Sequence, residues 1–76
     1  MKYYVYHVHS QLIRNGDIGN SDFILHSEDR IDTGVRYERM KQKLWDDYFS
    51  ADMKIRFQTV KNLTITSLSF LHEVNE

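Results

Sequence analysis

An α+β fold is what this sequence predicts: two layers, with an antiparallel sheet of about four strands and one helix packed on one face. Three observations carry that prediction. Aromatic and β-branched residues dominate Lys2 to Ile13. Asn15-Gly16-Asp17-Ile18-Gly19-Asn20 follows as a run of turn residues, and Asn and Gly tolerate the positive φ that a hairpin reversal demands. Further along, Tyr37, Met40, Leu44 and Tyr48 recur at spacings of three and four, the period of a helix with one buried face.

The first strand reads from Lys2 to Ile13. Alternation puts Tyr4, Tyr6, Val8, Ser10 and Leu12 on one face and Tyr3, Val5, His7, His9 and Gln11 on the other. The even-numbered face ends apolar while the odd face grows polar, so the even face is the expected core side. A second strand is expected over Asp22 to Ser27, with Phe23 and Leu25 pointing one way and Ile24 and His26 the other. A charged connection runs from Ser27 to Asp32, after which Asp32 or Thr33 can cap the helix by accepting a backbone N–H. Trp45 and Phe49 lie beside the helical stripe and widen it. Arg36, Glu38, Arg39, Gln42, Lys43 and Asp46 take the faces that suit water.

Beyond Ser50 two periods compete. Met53, Ile55 and Phe57 alternate with Lys54, Arg56 and Gln58 as a half-buried strand does, whereas Met53, Phe57 and Val60 fit helical spacing with Ser50 as a cap. The strand is the preferred reading, with Lys61-Asn62 as the turn into a last strand, which gives the order β-β-α-β-β. In that last strand Leu63 and Ile65 are odd and Leu68 and Phe70 even. One extra residue flips the facing of everything after it, so a β-bulge near Thr66 or Ser67 is expected.

Composition sets outer limits. At 76 residues there is room for one domain, residues 1–76, and a chain this short buries only about 60% of the surface its unfolded form exposes. Five Tyr, four Phe and one Trp within a 41% hydrophobic fraction suffice for one core. There is no Cys, so packing, or self-association as a homodimer, has to supply what disulfides or zinc thiolates supply in other small domains. A net charge of −1 argues against strong attraction to nucleic acid or anionic membranes. No apolar run approaches the roughly 20 residues of a membrane span, and Met1 to His7 lacks the apolar core of a signal peptide. A cytoplasmic location with no membrane partner is the expectation.

Few residues carry a chemical signal. His7 and His9, two apart on a strand, project from the same face, a spacing that some metal sites use. A metal-dependent hydrolase would need a third ligand, for which His26 on the neighbouring strand is the natural candidate, with Asp22 or Glu28 as carboxylates. The plainer alternative is a solvated pair on a polar strand face, and it outweighs the metal reading because no wider ligand motif is present. Asp46-Asp47 and Glu28-Asp29 are adjacent carboxylates that read as surface charge. Gly16-Asp17-Ile18-Gly19 has no helix behind it to offer donors to a phosphate, so it reads as a turn. No catalytic residue and no cofactor is assigned, and a non-enzymatic protein is expected.

Binding is the better reading. If exposed, Tyr3, Val5 and His7, extended by His9, form an aromatic stripe on the open sheet face, suited to a protein partner. The alternatives are that the stripe is core, or that it stacks single-stranded bases with Arg14, Lys54 and Arg56 around it. The aromatic first strand, the Gly-x-x-Gly-Asn turn from Gly16 to Asn20, the single helix and the closing Leu63-Thr64-Ile65-Thr66-Ser67 strand together resemble small uncharacterised proteins encoded by phages and prophages. That resemblance implies an accessory protein that binds a host macromolecule, and it transfers no catalytic residues.

Overall fold

A computed structural model describes residues 1–76. The fold is α+β, built from a three-stranded antiparallel sheet and two helices. β1 (Lys2–Arg14) is the central strand, with β2 (Asp17–Ser27) on one side and β3 (Leu63–Asn75) on the other. Between β2 and β3 the chain forms α1 (Gly34–Lys43), a π-helical turn at Leu44–Tyr48, α2 (Ala51–Phe57) and a short 3-10 turn at Val60–Asn62. The expected fourth strand is absent, and the order is β-β-α-α-β.

The hairpin reversal is tighter than the run of turn residues suggests. Only Asn15 (φ 49°) and Gly16 (φ 83°) take positive φ, the conformation of a two-residue hairpin turn whose twist matches that of the flanking strands. β2 therefore begins at Asp17, five residues before the expected Asp22. Gly19 belongs to the strand, and a Cβ there would stand 3.2 Å from the Phe57 ring. Its role is to let α2 approach the sheet.

The even-numbered face of β1 is the core side. Tyr6, Val8 and Leu12 join Leu25, Met40, Leu44, Trp45, Phe49, Phe57 and Leu63 in one buried cluster. Phe23 packs edge-on against Tyr48 and Phe49, with ring centroids 5.5 and 5.1 Å apart, so Phe23 and Leu25 are the inward residues of β2. Thr33 caps α1, its hydroxyl accepting from the Arg36 N–H at 3.2 Å. The π turn widens the helix so that the adjacent Leu44 and Trp45 are both buried.

Residues 51–57 form a helix, not the preferred strand. Ser50 caps it by accepting from the Met53 N–H at 3.3 Å, and Gln58 ends it with a positive φ of 67°. Met53 and Phe57 share a side under either period, but a strand turns Ile55 to that side with them, whereas the helix leaves Ile55 74% exposed while Phe57 is fully buried above Gly19. The opposite exposures of Phe57 and Ile55 separate the two periods.

In β3 the register shifts between His9 and Ser10, because Ser67 pairs with His9 and Ile65 with Ser10. Thr66 is thus the extra residue, in the expected bulge, and its hydroxyl donates to the His9 carbonyl at 3.1 Å. A second, unforeseen bulge at Leu71 follows, since Phe70 pairs with Tyr6 and His72 with Val5. The helices cover one face of the sheet only. No helix is long and apolar enough to cross a membrane.

Candidate functional site

The open face of the sheet gathers the residues with chemical character. Cross-strand partners share a face, so the register assigns its membership. β1 contributes Tyr3, Val5, His7, His9, Gln11 and Ile13. β2 contributes Ile18, Asn20, Asp22, Ile24 and His26. β3, with its two bulges counted, contributes Thr64, Ser67, Ser69, His72 and Val74. All four histidines of the chain stand there. Asp22 is the only acidic residue on this face, and Lys and Arg are absent from it.

His7, His9 and Asp22 form its centre. His7 Nε2 lies 2.5 Å from Asp22 Oδ1, and because a carboxylate only accepts, that nitrogen is the donor. His9 Nδ1 lies 3.5 Å from the same oxygen. The two imidazoles are 4.3 Å apart between centroids, and one donor atom from each of the three side chains falls within 4.8 Å of the others. The side chains of His7, His9 and Asp22 are 33%, 47% and 58% exposed. Water reaches the group freely, so its field is screened and no enclosed reaction space exists around it.

His26, the expected third ligand, is not part of this cluster. It pairs with Val5 and stacks on Tyr3 with ring centroids 5.1 Å apart. Asp22 takes its place opposite His9, and the sequence carried the signal for this. Counting outward from Asn15-Gly16 as a two-residue turn sets Arg14 against Asp17 and His9 against Asp22; a turn drawn from Asn15 to Asn20 conceals that register. Glu28, the other carboxylate considered, lies elsewhere. With Asp29 it lines a cavity of about 240 Å³ between the end of β2 and α1, beside Arg36, Arg39 and Lys43.

The expected binding stripe is only partly exposed. Tyr3 and His7 are half-buried and His9 is exposed, but Val5 retains 4% of its surface. It is a short side chain between two taller imidazoles, His26 on one neighbouring strand and His72 on the other. The accessible apolar residues are instead Ile13, Ile18 and Ile24, the first two paired directly across the hairpin.

Arg14, Lys54 and Arg56 do not surround this face. Arg14 and Asp17 lie on the helical side of the hairpin end, where Arg56 reaches Asp17 with Nε at 2.6 Å from Oδ2 and Nη2 on Oδ1. The Arg56 hydrogen bond holds the Asp17 carboxyl below the usual carboxylate range, and the same bond pushes the Arg56 guanidinium up. Arg14 donates to the Arg56 carbonyl, and Lys54 Nζ donates to the Asp46 carbonyl at 2.8 Å. These cations tie α2 to the hairpin and to the π turn. The arrangement a base-stacking face requires is not the one observed.

No family model matches the chain, and no curated protein or solved structure matches it.

Proposed function

We propose that this protein is a non-enzymatic interaction protein whose open sheet face meets a protein partner. The observation that carries the reading is the charge depletion of that face, which holds Asp22 as its one formally charged residue at neutral pH in a chain that is 28% charged. Interface centres are depleted of charge in the same way and enriched in aromatic residues, and Ile24, Tyr3 and the imidazoles supply contact area at low entropic cost. The water-exposed setting of His7, His9 and Asp22 supports binding over catalysis, because catalytic groups gain most of their power from dry, preorganised surroundings. The resemblance to phage and prophage proteins directs the reading to an accessory factor whose partner belongs to the host cell.

The test compares two substitutions on opposite sides of the sheet. Ile24 is exposed at the middle of the open face and Ile55 is exposed on α2. Immobilised wild-type protein and Ile55→Glu are expected to retain one and the same protein from a lysate of the cell of origin. Ile24→Glu is expected to weaken that retention at least about tenfold, or roughly 1.4 kcal/mol. Recovery of nothing but the chain itself, or retention indifferent to Ile24→Glu, overturns the reading.

A further inference from the structure

We propose that His7, His9 and Asp22 form a binding site for a divalent transition-metal ion of the zinc type. The donor set comes first. Two imidazole nitrogens and a carboxylate oxygen suit zinc and its neighbours in the transition series, whereas magnesium and calcium prefer all-oxygen cages. Zinc sites built from three protein ligands leave a fourth position for water or an incoming group. One nitrogen of each imidazole and one Asp22 oxygen already lie within 4.8 Å of one another, so a single ion can take all three once the His7 nitrogen that donates to Asp22 gives up its proton.

The scaffold is the second part of the argument. His7 and His9 sit two residues apart on the central strand, laddered on both sides, and Asp22 is held opposite His9 by the two-residue turn. Strands hold ligands more accurately than loops do. One Asp22 oxygen is hydrogen-bonded to His7 and lies 3.5 Å from His9 Nδ1, so the three groups converge and do not scatter as unrelated surface residues would. Ser69 and Ser67 pair with His7 and His9 from the other side. The site does not depend on the interaction reading, because a protein that finds no partner can still hold the ion.

Isothermal titration of the tag-free chain with zinc chloride, and separately with magnesium chloride, tests this. Zinc is expected to bind at one ion per chain and magnesium to give no measurable heat. His9→Ala and Asp22→Asn should each weaken zinc at least about tenfold, while His26→Ala and His72→Ala stay within about twofold of wild type. His9 and Asp22 are surface side chains, so both variants are expected to keep the far-ultraviolet circular dichroism of the wild type. Asp22→Asn also retains a hydrogen-bond acceptor for His7, which separates loss of a ligand from loss of local order. Absence of zinc binding at millimolar concentration overturns the site. So do unchanged affinity in His9→Ala and Asp22→Asn, and a loss in His26→Ala as large as that in His9→Ala, which signifies diffuse binding to surface histidines.

Discussion

Ser10 sits on the core side of β1, between Val8 and Leu12, and is the only buried polar side chain, with 3% of its surface exposed. Its hydroxyl has no hydrogen-bond partner. Across the ladders it faces Ser21 and Ile65, and neither accepts from it. A hydroxyl buried without a partner costs about 1–3 kcal/mol, and alanine fills the same space with only that atom removed. Ser10→Ala should therefore raise stability by about 1 kcal/mol, seen as a rise of about 4–8 °C in the thermal midpoint of a domain this size. A lower midpoint would mean that the hydroxyl is satisfied in solution by a group near Ser21. His9, the preceding residue, stands on the opposite face, so adjacent positions of the strand serve the core and the open face.

At the level of the elements, what could be read from the sequence depended on whether local or distant residues decide. The bulge at Thr66 was legible because a switch from Leu63 and Ile65 to Leu68 and Phe70 has only one geometric remedy. The hairpin was legible, its length less so, since Asp17, Gly19 and Asn20 are turn formers that the strand nonetheless absorbs. α2 was not legible, for seven residues carry too few repeats to separate a period of two from one of 3.6. What chose the helix is distant in sequence, namely the space above Gly19 for Phe57 and the Asp17 carboxylate for Arg56. The His7–His9 pair was visible from its spacing and Asp22 was one of its two candidate carboxylates, while the choice of Asp22 over His26 and Glu28 came only with the register. For α2 the Ser50 cap then has a definite weight. Ser50→Ala leaves the Met53 N–H without its partner, so it should destabilise the protein by about 1 kcal/mol, whereas Ser50→Asp, which keeps a capping oxygen, should cost a few tenths at most. Equal urea midpoints for Ser50→Ala and wild type would show that α2 contributes little to the cooperative unit.

The molecule as a whole is long for its size, with extents of 42 × 20 × 20 Å, because 13-residue strands extend past the helical layer that covers one face. Burial follows that layer. Val8, Leu12, Leu25 and Leu63 are almost fully enclosed, while β3 beyond Leu68 is exposed at nearly every position and broken by the bulge at Leu71. Regions with few buried apolar contacts open at lower free energy than the core does. Native-state hydrogen exchange should then rank the strands. Amides of β1 from Tyr6 to Leu12, laddered on both sides, are expected to exchange only through global unfolding, with a steep dependence on denaturant. Those of residues 70–75 should exchange faster through a local opening that is nearly independent of denaturant, since little surface is uncovered. The same experiment reads the open face, because a second copy seated on His72 and Val74 would bury them. Protection of residues 70–75 equal to that of Val8, with the same denaturant slope and a dependence on protein concentration, would contradict local opening and identify self-association as what covers this end of the sheet.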